Sequence, residues 1–207
     1  MSRCMVSVRQ FVLAGWLVYG ARWLHYADRL PTICGSGSVF RKSRGSPMTR
    51  LTTLFIDKEA HKFSAAHFTI FSATERERLH GHNYSVSARI VAPMGPNGFS
   101  ADYNVYKNRL KQLCDALDEY MLLAAHSPYQ SIAVADDNVE VTFNGRTLWF
   151  PVDETQVLPM TNVTVEELAH YLLAQLLAEG GDEGLVEVEL GVSSGPGQTG
   201  IAVWQAS

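Results

Sequence analysis

The feature that most restricts what this chain can fold into is the run His80-Gly81-His82-Asn83-Tyr84-Ser85-Val86-Ser87-Ala88-Arg89-Ile90. From His82 to Ile90 every second residue is apolar, aromatic or imidazole, and the residues between them are polar. That period of two predicts a half-buried β-strand. Residues i and i+2 of a strand face the same side, so His80 and His82 head its core-facing side together. Two imidazoles on one face are a ready pair of metal ligands. A third histidine ends Phe63-Ser64-Ala65-Ala66-His67, where Phe63, Ala65 and His67 also share a face. Three histidines with no fourth protein ligand nearby form the pattern of a catalytic zinc, which keeps one position open for water or substrate. Strand histidines that only hydrogen-bond in a core are the competing explanation, and the H-x-H pairing with a third histidine argues against it.

The chain has 207 residues, enough for one domain with a substantial core. Its net charge is −4 and it has no basic block, so nothing in it asks for nucleic acid. Its three cysteines, Cys4, Cys34 and Cys114, form no C-x-x-C and no disulfide framework, which points to a reducing, cytoplasmic setting. Cys114 falls on a helical apolar stripe and reads as a core thiol. Residues 1–47 differ from the rest, being rich in Arg, Trp, Gly and Ser. Phe11 to Ala21 is an apolar run of signal-peptide length behind Arg3 and Arg9, too short to span a bilayer. We read 1–47 as an unstructured extension or a misassigned start before Met48, with a signal or weak membrane anchor as the competing reading. The domain is then 48–207, with no membrane partner.

Within it, Leu51 to Phe68 reads as a strand interrupted near Asp57–Glu59, and Thr69 to Arg78 as a polar link. Asp102 to Met121 reads as a helix, with Leu110, Leu113, Cys114, Leu117 and Met121 on its buried stripe. Val139 to Phe143 and Arg146 to Phe150 flank Asn144-Gly145, the strongest short hairpin signal. A second helix starts at Thr164, with Thr164 and Glu167 as a capping box, and stops at Gly180-Gly181. Val186 to Val192 and Thr199 to Trp204 alternate as two more strands. The order predicts an α+β fold: a four-stranded antiparallel sheet with two helices on one face, plus a β-hairpin insertion.

Phe63 to His67, Leu79-His80-Gly81-His82-Asn83-Tyr84, Asp102-Tyr103 before a helix, and Asn162-x-Thr164-x-Glu166-Glu167 together resemble the 6-pyruvoyl-tetrahydropterin synthase family. That family includes the bacterial 6-carboxy-tetrahydropterin synthases, and the similarity runs from about Thr52 to Trp204. The resemblance implies a tunnelling (T-fold) domain, a homohexamer of two trimers and active sites at subunit interfaces. It implies a reduced pterin substrate, 7,8-dihydroneopterin triphosphate, and one Zn2+ held by His67, His80 and His82. The implied reaction eliminates triphosphate and moves protons along a hydroxylated side chain. It needs a Lewis acid at the hydroxyl oxygens and a general base.

Three positions depart from the family. Its usual base is a cysteine just before the H-x-H, and none lies between His67 and His80. Glu77 stands where one branch carries glutamate, for which the resemblance implies 6-hydroxymethyl-dihydropterin as product and a role in folate synthesis, within a family whose implied roles are folate or queuosine biosynthesis. The bland alternative is a solvated loop, Glu75-Arg76-Glu77-Arg78. The family's Leu-Asp-His reads Leu117-Asp118-Glu119 here, keeping Asp118 and losing the histidine; His126 reads as a surface loop residue. The family's pterin-anchoring glutamate falls at Ser193 or Ser194, while alternation turns Glu187 and Glu189 off the apolar face. The expectation is therefore Glu77 and Asp118 as catalytic residues, with Thr164 and Ser194 at the substrate. A T-fold paralogue that keeps zinc but takes another small ligand, or does no catalysis, is the second reading.

Overall fold

Alternating burial runs through both of the long strands expected from the sequence. In the computed structural model, which describes residues 50–178, 180 and 184–207, β1 spans Leu51–His67 and β2 spans His80–Pro93. They pair antiparallel, with His67 opposite His80 and Ala65 opposite His82. The register slips between Asp57 and Lys62, where the sequence suggested an interruption. After that bulge His61, Phe63, Ala65 and His67 all turn inward.

The chain continues through α1 (Tyr103–Asp115), β3 (Tyr120–Ala124), β4 (Gln130–Ala135), β5 (Asn138–Phe143), β6 (Arg146–Pro151) and β7 (Thr155–Leu158). It ends with α2 (Val165–Ala178), β8 (Glu187–Gly195) and β9 (Gln198–Gln205). The main sheet has six strands in the order β7-β3-β1-β2-β8-β9. The four antiparallel strands expected from the sequence are β1, β2, β8 and β9. They are joined at one side by β3 and β7, which run parallel to β1. The expected helix to Met121 in fact ends at Asp115. Glu119, at φ 65°, takes a left-handed turn, and Met121, Leu122, Leu123 and Ala124 then form a strand buried on both faces. A short, continuous apolar run of that kind cannot be told from a helix by periodicity.

Both helices pack on one face of the sheet, as expected. Tyr106, Leu110 and Cys114 from α1, and Leu168, Leu172 and Leu176 from α2, share one core with Val86, Ala88, Ile90, Val188, Leu190 and Ala202. Cys114 is fully buried there, which pushes its thiol pKa up to about 12. Asp102 caps α1 by accepting from the Asn104 N–H at 3.0 Å. The capping box of α2 is one-sided: Thr164 Oγ1 accepts from the Glu167 N–H at 3.4 Å, but the Glu167 carboxylate turns to the Thr161 hydroxyl at 2.6 Å.

The insertion is a three-stranded antiparallel sheet, β4-β5-β6, one strand more than the expected hairpin. Asn144 (φ 47°) and Gly145 (φ 69°) make the turn between β5 and β6. Its Val139, Val141 and Phe143 form a second core with Phe68, Ile70, Met121 and Leu123. The expectations for residues 1–47, including Cys4, Cys34 and the Phe11–Ala21 run, lie outside the described residues. No described helix is long and apolar enough to cross a membrane.

Candidate metal centre and active site

The β1–β2 register places His67 across from His80, and strand alternation puts His82 on the same side. One ring nitrogen from each of the three comes within 4.8 Å of the others. His80 Nε2 and His82 Nε2 are 3.0 Å apart. Tetrahedral coordination at about 2.0–2.1 Å from zinc would set such nitrogens about 3.4 Å apart, near the His80–His82 separation and within the span of all three. His67 Nδ1 donates to the Val163 carbonyl at 2.9 Å, and His80 Nδ1 donates to the Arg78 carbonyl at 2.8 Å. These bonds fix the tautomers and aim the unprotonated Nε2 atoms at the centre. His67 Nε2 is buried with no hydrogen-bond partner. Burial also holds the His67 pKa below its ordinary value, keeping the imidazole in the neutral form that ligates. The donor set fits a metal ion.

The three histidines wall a cavity of about 330 Å³ together with Thr69, Glu77, Tyr84, Thr164, Val165, Glu166, Ser194, Gln198 and Thr199. Glu77 Oε2 lies 3.9 Å from His80 Nε2. Its Oε2 accepts from the Thr69 N–H at 3.0 Å, and its own N–H donates to the Thr69 carbonyl at 2.9 Å. Burial raises the Glu77 pKa, but the Thr69 hydrogen bonds and the nearby His80 outweigh it and leave the group below its ordinary value. Thr164 and Ser194 both reach this cavity. Ser193 does not line it, because its hydroxyl is spent within the β8–β9 turn on the carbonyls of Gly195 and Gln198.

Asp118 stands apart from that cavity within the chain. Its carboxylate accepts from the Ser64 N–H at 2.7 Å, and it lines a separate hollow with Lys62, Phe63, Ser64 and Asn83. His126 is exposed. Glu189 pairs with Arg89 at 2.6 Å, and Glu187 accepts from Gln205 at 2.8 Å, so both are engaged elsewhere.

Among the cavity residues given no site role from the sequence, Glu166 and Tyr84 matter most for the chemistry. Glu166, an exposed residue in the first turn of α2 two residues after Thr164, also lines the cavity. Its place in the Thr-x-Glu pattern was the available signal. Tyr84 had counted as part of the apolar alternation and of the Leu79–Tyr84 motif, with no role of its own. Its hydroxyl is buried without a hydrogen-bond partner, and burial pushes its pKa up, so it stays a donor.

The profile of the family "6-pyruvoyl tetrahydropterin synthase" matches residues 56–197. A protein of Methanocaldococcus jannaschii provisionally named 6-carboxy-5,6,7,8-tetrahydropterin synthase is 26% identical over 141 residues, 66% of this chain and 86% of its own length. The crystal structure of 6-pyruvoyl tetrahydropterin synthase from Plasmodium vivax superposes with a TM-score of 0.72 at 27% identity, covering 76% of this chain and 99% of that one. A second P. vivax structure, titled as a catalytic residue mutant with glutamate changed to alanine, gives a TM-score of 0.71 at 26% identity over the same shares. The profile match spans most of the described residues and contains all three clustered histidines; the chain belongs to the 6-pyruvoyl tetrahydropterin synthase family.

Proposed function

We propose that the chain is a zinc-dependent lyase acting on 7,8-dihydroneopterin triphosphate or a closely related reduced pterin, with Glu77 as general base and 6-hydroxymethyl-dihydropterin as product. The observation that carries this is the Glu77 carboxylate 3.9 Å from His80 Nε2, in the same cavity as the other two histidines. The P. vivax relative, in which a glutamate is described as the catalytic residue, supports the same assignment.

Zinc held by His67, His80 and His82 would supply Lewis-acid polarisation of side-chain hydroxyls. The chain's own groups do the rest. Glu77, ionised at neutral pH because its pKa is held down, accepts a proton at Oε2. The Thr69 hydrogen bonds fix that carboxylate before substrate arrives. The Glu166 carboxylate suits a pair of ring N–H donors, and Thr164, Ser194 and the protonated Tyr84 hydroxyl orient the remaining polar atoms. Asp118, which braces Ser64, would act across a subunit interface in a homohexamer of two trimers. The cysteine usage favours a cytoplasmic setting.

The test pairs metal analysis with product mass. The native protein is expected to carry one zinc per chain and to yield the 6-hydroxymethyl pterin. His80→Ala and His82→Ala should each lose the zinc while keeping the fold, and Glu77→Gln should keep zinc and lose about 100-fold or more in kcat. Full zinc in either histidine variant would refute the ligand set. Unchanged turnover in Glu77→Gln would return Glu77 to the loop. A second reading, a paralogue with another small ligand, is favoured by Ser194 standing where the family carries a carboxylate. Zinc without any pterin product would support it.

A further inference from the structure

We infer that Arg76 is a positioning residue that fastens the Glu77 loop to the insertion sheet, with Phe143 as its seat there; this rests on Glu77 being the base. The loop from Thr69 to Leu79 carries Glu77 past the metal ligands. One flank is already secured. Ile70 bridges to Arg76, and the Asn162 side chain grips both the N–H and the carbonyl of Ile70, at 3.0 and 2.8 Å. Those bonds anchor Thr69, which in turn holds the Glu77 carboxylate.

The other flank depends on Arg76. Its Nη1 donates to the Glu77 carbonyl at 2.7 Å. The guanidinium lies over the Phe68 ring, 4.5 Å from its centroid, and 5.7 Å from the centroid of Phe143. Phe68 directly follows the ligand His67, and Phe143 ends β5 at the turn of the insertion. Arg76 is half-buried, and its charge is met by two ring faces and a carbonyl. A planar fork can stack on the rings and donate sideways at the same time, whereas a lysine ammonium cannot. β5 is the central strand of the insertion and is hydrogen-bonded on both sides. Its Val139, Val141 and Phe143 are packed into the second core. The insertion therefore gives the loop a rigid wall, and Arg76 transmits that wall to the backbone of Glu77. A displacement of about 1 Å at a catalytic group costs on the order of 100-fold in rate.

The test uses the full-length, zinc-loaded protein with Arg76→Lys, Arg76→Ala, Phe143→Leu and, as a reference, Glu77→Gln. Arg76→Lys and Arg76→Ala should each lower kcat about tenfold or more, with KM within about twofold and zinc content unchanged. Phe143→Leu should lower kcat less, in the same sense. Added methylguanidinium should restore part of the kcat of Arg76→Ala and leave the native protein unaffected. Amide hydrogen exchange needs no substrate: the Glu77 N–H should exchange about tenfold faster in Arg76→Ala than in the native chain. A native kcat in Arg76→Ala, or a loss confined to KM or zinc content, overturns the inference. If Glu77→Gln turns over normally, the assignment of the base fails, and the exchange rate alone then decides whether Arg76 holds the loop. An unchanged rate overturns that too.

Discussion

Gly200 gives the sharpest stability prediction, because the space around it can be measured. It lies in β9, opposite Val192, directly beneath the first turn of α2. A Cβ placed there would lie 2.6 Å from the carbonyl carbon and oxygen of Val165 and 2.7 Å from the Glu166 nitrogen. Ordinary contact begins near 3.4 Å, so the helix would have to lift by about 0.8 Å. All three obstructing atoms are backbone, and no rotamer change can relieve them. The strand cannot yield easily because it is laddered to β8, and the helix is held by Leu168, Leu172 and Leu176 in the core. Overpacking of this kind puts Gly200→Ala at about 2–3 kcal/mol of destabilisation. With a urea dependence of about 1.5 kcal/mol per molar, the midpoint should fall by about 1.3–2 M at matched protein concentration. Gly98→Ala is the control. Gly98 sits at φ +81° in open space, so the alanine meets only left-handed backbone strain, about 1 kcal/mol. A Gly200→Ala midpoint within about 0.3 M of native would refute the claim that α2 rests on the bare backbone of β9.

Burial lowers the folded-state pKa of His61, whose ring is 2% exposed and contacts the Lys107 carbonyl at 3.1 Å. The native state holds it neutral, while the unfolded chain protonates near its ordinary value of 6.5. The stability it contributes is therefore complete above about pH 6.5 and is lost as pH falls through the lowered folded value, at no more than about 1.4 kcal/mol per unit. His67 adds a loss of the same sign, so His61→Gln should flatten the acid limb of a urea-midpoint profile only in part; an identical limb would clear His61. Cys114, with its thiol pushed up to about 12 and fully buried, should stay unlabelled by iodoacetamide at pH 8 until denaturant is added. Peptide mapping that finds it labelled at the rate of a free thiol would contradict the buried placement.

The parts of the fold legible in the sequence were those with a strict period. β2 was legible because His82, Tyr84, Val86, Ala88 and Ile90 alternate without a fault, and the β5–β6 turn because Asn144 and Gly145 both tolerate positive φ. The bulge in β1 was legible because Asp57 to Glu59 interrupts its pattern. β3 was not, because Met121 to Ala124 continue the apolar stripe of α1 and only the left-handed Glu119 separates the two. β7, at four residues, has too little pattern to detect and exists by pairing with β3. At the site, the three histidines were legible from H-x-H spacing and strand phase. The lowered pKa of Glu77 was not, since it depends on Thr69, eight residues away and brought close only by the fold of the loop. The gap between Asp118 and Glu77 could not be read from spacing either, because it depends on which side of β1 each approaches.

The parallel pairing of β3 with β7 also sets how this protein could be shortened. Two antiparallel strands can be cut back to a two-residue turn, but a parallel pair needs a connection that travels back the full length of the strand. The segment from Ala125 to Glu154 supplies that return path, and the Ala125 N–H is itself bonded to the Leu158 carbonyl at 2.9 Å where β7 ends. An engineer who trimmed the insertion to a tight loop would not obtain a smaller domain with the same sheet. β7 would lose its route back to the sheet edge, Met121 and Leu123 would lose their cover, and β3 would become the new margin, with an unpaired edge and an apolar face open to whatever chain came near.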